Sequence, residues 1–528
     1  MSTTDLKTLA AEKETVEAHI DNEEEFEEFP IEEYKSNTVT GVQSKVCQQD
    51  DWDDEKPKIH VAFNQKIAEL LANNGLDVTI LFPDIDPLVK INFLNSTTRR
   101  RINIGLNNGI LPNALWKNPG PFEDSSLLNP KILRKLIKVS SILTYGCYNL
   151  INNKKLIQSL INENFEVGFV EQYDSCGLGL FKTLGIKNIH WLSATNIYRL
   201  QPETIGVNYP LSYVSELFSP FGDIMNFSER IINLLTAIVT EGVHTYFSKV
   251  KITDIFKIVY PRSMNKIDNV WNIAQTSQSI IANNLPILDF STPTSNMIHN
   301  VAGITIEKPT SELNEEFQKI TQLKPYFFLV TFGSIAKTSD MPLIMKHSLF
   351  KAFKKFSNIT FIVKYENQKE EIVKHSKNVF LVKWLPQIEL MKHKNYKGII
   401  THGGWSSMIE TLTNGKPMIL MPLFADHGKN SKIIEQKKLG ILIDKMNINS
   451  HTFSDSLTEL IENPNYEYNC KRYALMLQQT TPIKKEKLIF HIVKNSLKKN
   501  RNKYLKIKSP NKIKIKRVFS LSTECTKV

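Results

Sequence analysis

The 528-residue chain has few cysteines and no long apolar segment. Its five cysteines, Cys47, Cys147, Cys176, Cys470 and Cys525, lie far apart and form no Cys-x-x-Cys pair, so the sequence indicates neither a disulfide scaffold nor a zinc site. No apolar run approaches the roughly 18–20 residues that a membrane-spanning helix requires. The first residues lack a basic stretch followed by an apolar one, so we expect no secretory signal peptide.

The charge of the chain is unevenly distributed. The net charge is +12, but residues 1–55 carry 17 acidic residues and 4 lysines, whereas residues 484–528 carry 15 basic and 2 acidic residues. The acidic head has too few apolar groups to bury, which predicts disorder. The basic tail, residues 486–528, favours a solvated, poorly ordered terminus, with acidic lipid or nucleic acid as the alternative partner. The net charge alone therefore gives no reason to expect a nucleic-acid partner.

Between these charged ends, short apolar runs alternate with helical stretches. Apolar spacing predicts a helix that begins near residue 61 and ends at Gly75, followed by the buried strand DVTILFP. Repetition of this pattern predicts parallel strands with helical crossovers. Two such sets, residues 58–300 and 301–485, predict an α/β fold of two Rossmann-like domains that face a ligand-binding cleft. The segment TSNMIHNVAGITIEKP reads as the linker between them.

The densest chemical pattern lies in residues 383–430. The strand KGIIT is followed by Gly403 and Gly404, and then by a predicted helix from Trp405 to Asn414 that ends at Gly415. A helix that begins at a Gly-Gly turn presents free N–H groups and a positive dipole end, which favours phosphate. The side chains on and after this turn that can donate hydrogen bonds to phosphate are His402, Ser406 and Ser407.

Three further side chains suit the other parts of a nucleotide sugar. Glu410, one helical turn on, can accept two hydrogen bonds from a vicinal diol such as a ribose. Trp384 at a strand end can stack on a base, and Asp426, after the strand KPMILMPLF, can bind sugar hydroxyls. Singly, a Trp in such a place is more often core and a helical Glu more often solvated. The ordered set predicts a nucleotide-sugar site.

The stretch closely resembles the signature of the UDP-glycosyltransferases, the family that includes the animal UDP-glucuronosyltransferases. The likeness extends over about residues 60–485 and is closest to the nematode branch. It implies the GT-B architecture. It also implies stacking of uracil on Trp384, a uridine contact from Gln387 and a ribose contact from Glu410. Asp426 then binds the transferred sugar. The residues implied around the diphosphate are Ser334 in TFGS, His402, Gly404, Ser406 and Ser407.

One departure from the family pattern affects the donor sugar. The family has Gln after the sugar-binding Asp, whereas this chain has His427, which leaves the choice between UDP-glucuronic acid and UDP-glucose open. The resemblance implies transfer of a hexosyl or glucuronosyl group to a small lipophilic hydroxyl acceptor. The implied reaction inverts the anomeric centre and needs no metal and no cofactor beyond the UDP-sugar co-substrate.

Such a transfer needs a base to remove the proton of the acceptor hydroxyl. Histidine is suited because its pKa lies near working pH, and a carboxylate behind it stabilises the imidazolium. The resemblance places this base at His60, although Ile59 replaces the preceding Ser of the family. It places the supporting acid at Glu171, where the family has Asp, with Asp174 as the alternative.

The residues before His60 differ from the family. DDWDDEKPKI contains no buried strand, so we expect the first and central strand of the sheet to be missing, its neighbours to be unpaired and His60 to be poorly anchored. In residues 1–57, EEFEEFP and DDWDDE resemble the small acidic proteasome-lid subunit deleted in split-hand/split-foot malformation, a family tied to proteasome assembly and mRNA export. That resemblance implies binding of the proteasome lid through residues 21–55. We interpret the join as a chimeric gene model.

Two other functions compete with this interpretation. One is an inactive transferase body that carries an acidic peptide for the proteasome lid or for recombination factors. The other, a NAD-dependent dehydrogenase, is disfavoured because no strand is followed by Gly-x-Gly-x-x-Gly. The localisation stays open, because the family implies the endoplasmic reticulum whereas the head implies the cytoplasm or nucleus.

Overall fold

A computed structural model describes residues 59–84, 98–103, 119–126, 129–171, 175–306, 312–333, 336–367, 376–479, 484–501 and 518–521. The α-helices are α1 (Ile59–Asn73), α2 (Pro130–Asn152), α3 (Lys154–Asn162), α4 (Cys176–Leu184), α5 (Leu200–Thr204), α6 (Phe227–His244), α7 (Ile252–Val259), α8 (Glu315–Gln322), α9 (Leu343–Lys354), α10 (Gln387–Met391), α11 (Trp405–Thr413), α12 (His427–Gln436), α13 (Ser450–Glu462), α14 (Pro464–Gln479) and α15 (Lys485–Arg501). Across these described ranges, no helix combines the length and apolar character needed to cross a membrane.

Two parallel sheets organise the molecule. The strands are β1 (Val78–Asp84), β2 (Thr98–Asn103), β3 (Val167–Glu171), β4 (Asn188–Ser193), β5 (Ser279–Ala282), β6 (Ile298–Asn300), β7 (Tyr326–Thr331), β8 (Ile359–Lys364), β9 (Val379–Val382), β10 (Tyr396–Thr401), β11 (Met418–Leu420), β12 (Gly440–Leu442) and β13 (Val518–Leu521). The first sheet has the order β2-β1-β13-β3-β4-β5-β6 and the second β12-β11-β10-β7-β8-β9. The predicted α/β class with two Rossmann-like sheets is confirmed.

The burial and the order of the strands show where each sheet can bind a ligand. β3 and β4 are buried along their whole length, as expected where helices cover both faces of a parallel sheet. In the second sheet, β7 lies between β8 and β10, so the chain leaves β7 and β10 at neighbouring points of one edge. A crevice at such a switch of strand order is where α/β sheets bind ligands.

The centre of the first sheet differs from the expectation that it lacks a strand. β13 lies between β1 and β3 and pairs in parallel with both. The neighbours of the missing first strand are therefore not unpaired, because a segment near residue 520 occupies that position.

The basic tail is also more ordered than predicted. Its first part is α15, whose Ile489, Val493 and Leu497 are buried in one cluster with residues of α1 and β1. The ring of His190 on β4 connects Ser279 (Nδ1 to Oγ, 2.8 Å) with Ser496 on α15 (Nε2 to Oγ, 3.1 Å). The prediction of a poorly ordered tail rested on its charge. The apolar residues of α15 lie between lysines but are spaced to form one face of a helix, and this face is buried.

Two further expectations need correction. Cys147 and Cys176 form a disulfide, which joins α2 to the start of α4. Their separation of 29 residues argued against pairing, but packing of the two helices brings the Cα atoms to 5.8 Å. The segment read as a linker contains β6, a three-residue strand that pairs with β5 at the edge of the first sheet.

Candidate active site

The turn between β10 and α11 has the geometry expected for an anion site. Gly403 has φ +84°, and a Cβ there would lie 2.5 Å from Ser431 Oγ. Gly404 is the N-cap of α11 and has no side chain to occupy the first N–H groups of the helix. A Cβ on Gly404 would lie 2.5 Å from His402 Nε2. Position 403 therefore requires glycine for its backbone conformation, a Cβ on Gly404 would displace the His402 ring, and the start of α11 stays open to a ligand.

His402 lies where the ends of β7 and β10 meet. Its ring is close enough to the β7 turn that a Cβ on Gly333 would be 2.9 Å from Nε2, and Nδ1 is 3.1 Å from Thr401 Oγ1. Burial lowers the pKa of His402 to about 4, against the opposing effect of a hydrogen bond with the Thr331 backbone. The imidazole is thus neutral near pH 7 and can act as a hydrogen-bond donor without adding a charge.

The predicted uridine, ribose and diphosphate residues meet at the face of α11. Gln387, the first residue of α10, donates from Nε2 to Glu410 Oε2 at 2.6 Å and to Ser407 Oγ at 3.3 Å. Trp384 is half-buried after β9, with Lys364 Nζ 5.8 Å from its ring centroid. Ser406 is in the first turn of α11, next to Ser407. Ser334 lies outside the described residues.

Asp426 and His427 begin α12. Asp426 Oδ2 accepts a hydrogen bond from Asn430 Nδ2 at 2.7 Å, and burial raises the pKa of its carboxyl. The buried His427 ring packs on that of His402, with centroids 4.5 Å apart, and its Nδ1 accepts from the Phe424 N–H at 3.4 Å. Burial keeps the pKa of His427 well below its usual value, so this ring is also neutral.

The predicted base and acid lie on the other domain. His60 is in the first turn of α1, and Glu171 is the last residue of β3. His60 Nδ1 is 3.6 Å from Glu171 Oε1, and the same oxygen accepts from the Ala194 N–H at 3.1 Å. Both side chains are buried. His60 is therefore held in place, contrary to the expectation of poor anchoring; Asp174, the alternative acid, lies outside the described residues.

The two domains contact each other directly beside these residues. Asp426 is hydrogen-bonded to Asn430 on α12, the helix that meets the first domain, so the predicted sugar-binding carboxylate lies at this contact. Asn196 Nδ2 donates to Asn430 Oδ1 at 3.1 Å, and Asn430 Nδ2 also donates to the Gly403 carbonyl. The Trp405 indole N–H donates to the Asn283 carbonyl at 2.5 Å.

Sequence reasoning missed the asparagines among these contacts. Asn430 lies four residues after Asp426, a spacing that places both on one helix face and was the available signal. Asn196 and Asn283 belong to the other domain, and no local pattern relates them to α11 or α12.

Comparison with known proteins agrees with this geometry. A family model described as UDP-glucoronosyl and UDP-glucosyl transferase matches residues 58–494. The chain is 27% identical over 444 residues to ugt-48 of Caenorhabditis elegans, covering 82% of each protein. It is 28% identical over 347 residues to the mouse 2-hydroxyacylsphingosine 1-beta-galactosyltransferase, covering 64% of this chain and 60% of the mouse protein. The family match starts at residue 58, so the likeness of residues 1–57 to a proteasome-lid subunit stays a prediction, and those residues lie outside the described structure.

Solved structures share the fold. The chain aligns with Os79 from O. sativa in complex with UDP at a TM-score of 0.53 and 15% identity, covering 82% of this chain and 97% of that protein. It aligns with a UDP-glucose: anthocyanidin 3-O-glucosyltransferase in complex with UDP at a TM-score of 0.52 and 14% identity, covering 83% and 96%. At these identities the likeness establishes the architecture of two facing domains.

Proposed function

Because the chain belongs to the UDP-glucoronosyl and UDP-glucosyl transferase family and is thus a hexosyltransferase, we propose that it moves a hexosyl or glucuronosyl group from a UDP-sugar to the hydroxyl of a small lipophilic acceptor. The observation that carries the proposal is that the buried pair of His60 and Glu171 lies on one domain, whereas Asp426 lies on the other, beside the Asn196–Asn430 contact between them. A base on one domain and a sugar-binding carboxylate on the other leave the reacting carbon between them.

The donor would occupy the second domain. Uracil would stack on Trp384, the ribose hydroxyls would bind Glu410, and the diphosphate would meet Ser406, Ser407 and the N–H groups of α11. Gln387 supports this arrangement because its amide holds both Glu410 and Ser407. Asp426 would accept hydrogen bonds from the sugar hydroxyls, held in place by Asn430.

The chemical step would be a single displacement. His60 Nδ1 faces Glu171, and in this proposal Nε2 takes the proton of the acceptor hydroxyl. As that proton leaves, the acceptor oxygen attacks the anomeric carbon and the bond to UDP breaks. The base and the diphosphate site belong to opposite domains, which supports attack from the face opposite the leaving group, and such an attack would invert the anomeric centre.

The neighbouring groups would stabilise the charges that develop. The Glu171 carboxylate, oriented by the Ala194 N–H, would stabilise the imidazolium. The start of α11 and the neutral His402 donor would bind the UDP leaving group, which offers a route for the reaction without a metal. The 3.6 Å separation in the ligand-free dyad would need to shorten as His60 becomes charged.

A lipophilic acceptor is supported by one relative. The mouse relative is named for transfer of galactose to 2-hydroxyacylsphingosine, a lipid. We therefore include both a phenolic and a sphingolipid-type acceptor among the substrates to be tested, each with UDP-glucose and UDP-glucuronic acid.

The test is UDP release by wild type and by His60→Ala. Loss of the base should lower the rate by about 10²–10⁴-fold while the affinity for UDP, measured by calorimetry, stays unchanged. His347→Ala, which alters an exposed histidine on α9, is the control and should keep full activity. Equal rates for His60→Ala and wild type would overturn the base assignment. No UDP release from wild type with any donor and acceptor would overturn the proposed function.

A further inference from the structure

The first sheet contains a position that a separate segment fills. β13 pairs with β1 in the register Val518 to Val78 through Leu521 to Leu81. It pairs with β3 in the register Val518 to Val167 through Leu521 to Val170. A four-residue strand with two parallel neighbours satisfies backbone groups on both edges, which would otherwise be left without partners in the middle of a covered sheet.

This strand is connected to the domain differently from its neighbours. The preceding element, α15, ends at Arg501, and 16 residues, 502–517, separate it in the sequence from Val518. Its neighbour β3 is followed closely by α4, which packs against the same sheet. The strand has the sequence Val-Phe-Ser-Leu, and its Ser520 is buried. Its backbone pairs on both edges, with β1 and with β3, and this pairing is what holds it in the sheet.

We propose that the gap between β1 and β3 is a strand-binding site, that Val518–Leu521 occupies it as a ligand from the same chain, and that this docking sets the catalytic dyad. The mode is strand addition, in which backbone hydrogen bonds provide affinity and a short parallel segment is the partner that fits. The part that concerns catalysis rests on the proposed function.

The link to the dyad runs through β3 and α1. Leu521 pairs with Val170, and the next residue of β3 is Glu171, the carboxylate that faces His60. Without β13, β3 would keep only its pairing with β4. The helix that carries His60 packs on the same part of the sheet, since Phe63, Ile80 and Phe169 share one buried cluster. Thus β3, which carries Glu171, and α1, which carries His60, both lie next to the position that β13 occupies.

A cut in the connection tests whether the strand is held without its covalent link. A specific protease site is inserted between Asn511 and Lys512 in the full chain, which is folded first and cut afterwards. We expect fragment 512–528 to co-elute with the body on size exclusion, as identified by mass spectrometry, and to separate in denaturant. Separation of the fragment under native conditions would overturn the proposal.

A second variant in the uncut chain tests the consequence for catalysis. Ser520→Pro removes a backbone N–H and Ser520→Asp buries a charge, whereas Lys514→Pro, outside β13, is the matched control. Ser520→Pro should lower UDP release about a hundredfold, with unchanged UDP affinity, and excess synthetic peptide of residues 514–524 should restore the rate. Hydrogen exchange should accelerate in β1 and β3 but not in β10.

The possible failures are distinguishable. Equal rates and equal exchange in Ser520→Pro and Lys514→Pro would overturn the proposal. If Ser520→Pro does not fold, co-elution of the cut fragment still decides it. Co-elution and exchange need no turnover, so an inactive wild type would remove the proposed function and leave the strand-binding site intact.

Discussion

At the scale of single residues, His427 is the position where the resemblance to the family predicts a Gln in the proposed sugar site. Its Nδ1 is used by the Phe424 N–H, and its ring packs between those of Phe424 and His402. A neutral ring held in this way offers one remaining N–H donor. A glutamine amide offers both a donor and an acceptor on a flexible chain, so the two residues can bind different sugar hydroxyls.

We predict that His427→Gln changes the choice of donor. The ratio of kcat/KM for UDP-glucuronic acid to that for UDP-glucose should shift by about tenfold, because one rearranged hydrogen bond to a sugar is worth roughly that much. UDP alone should bind with wild-type affinity. The same change at the exposed His451, the control, should leave the ratio unaltered. A ratio unchanged in His427→Gln would show that this residue does not read the sugar.

The residue scale also shows what a sequence can and cannot reveal. Apart from Ser334, the predicted donor-site residues were recognisable because they lie within 383–430, where turn, helix and strand ends follow in order. Glu171 was reached through the family pattern alone. The sequence around Glu171 does not predict that its carboxylate lies 3.6 Å from His60 Nδ1, because the two residues come from different elements and are 111 positions apart.

At the scale of elements, the β10–α11 turn yields a prediction with an internal control. Gly403 and Gly206 have nearly the same backbone, φ +84° and +87°, but a Cβ at Gly403 would meet Ser431 Oγ at 2.5 Å and the His427 carbonyl at 3.0 Å, whereas at Gly206 nothing lies within 4 Å. Gly206→Ala should cost about 1 kcal/mol of unfolding free energy from backbone strain alone. Gly403→Ala should cost more and also abolish UDP binding, as measured by calorimetry. Wild-type UDP affinity in Gly403→Ala would contradict this.

Residues 119–126 form a second informative element, because they belong to the first half of the sequence but pack on the second domain. The Phe122 ring lies 5.7 Å from that of Phe332. Lys445 Nζ donates to the Pro121 carbonyl, to Ser125 Oγ and to the Leu423 carbonyl. The buried Lys445, with its three oxygen partners, thus holds residues 119–126 against the second domain.

Because Lys445 is buried, its contribution to the unfolding free energy depends on pH. Desolvation lowers the pKa of Lys445 to about 8 from its ordinary 10.5, against the opposing charges of Asp124 and Asp444. Below pH 8 both the folded and the unfolded chain hold the proton. Between pH 8 and 10.5 the unfolded chain binds more protons at Lys445 than the folded chain does. The stability contributed by Lys445 therefore rises with pH in this range, and it is lost as the pH falls back to 8.

We therefore predict that the unfolding free energy of wild type relative to Lys445→Met increases from pH 8 to 10. Chemical denaturation at several pH values measures this difference, in which the other titrating groups cancel. Lys319→Met, a change at an exposed lysine, should show no such trend relative to wild type. Parallel curves for wild type and Lys445→Met would contradict the buried, shifted amine.

Among the elements, local patterns predicted several strands and two bounded helices but not the partners of these elements. The helix at 61–75 and the helix after Gly404 appear as α1 and α11, because periodicity and glycine stops act locally. The position of β13 was not predictable, because a strand of four residues after a lysine-rich stretch has no signal that it pairs 440 residues upstream. The disulfide of Cys147 and Cys176 was not predictable for a similar reason, because the packing of two helices brings these cysteines together.

At the scale of the whole described molecule, the two domains are joined by polar contacts beside the reacting groups. Asn430 simultaneously holds Asp426, the Gly403 turn and Asn196 of the opposite domain. Lys429 Nζ lies 3.8 Å from Asp289 Oδ1 next to it. These buried amides therefore contribute to the relative position of the proposed base and the proposed donor site.

We predict that Asn196→Ala lowers kcat by about tenfold with little change in the KM for the UDP-sugar, because it loosens the approach of the domains without touching the donor. Asn188→Ala, which removes a buried amide donor to the Glu166 carbonyl within one domain, is the control and should reduce thermal stability but not kcat. Steady-state kinetics and thermal unfolding of both variants make the comparison. An effect on KM alone would show that Asn196 serves donor binding.

The central strand also has a consequence for biosynthesis. β1 and β3 are made early, but the segment that pairs with both begins at residue 518. Closing so long a loop is entropically unfavourable, and during synthesis it cannot begin until that segment has left the ribosome. The second sheet, residues 326–442, has all its strands long before that point. The second sheet can therefore form while the first sheet still lacks its central strand, so the sheet that carries Glu171 is the later of the two to be completed.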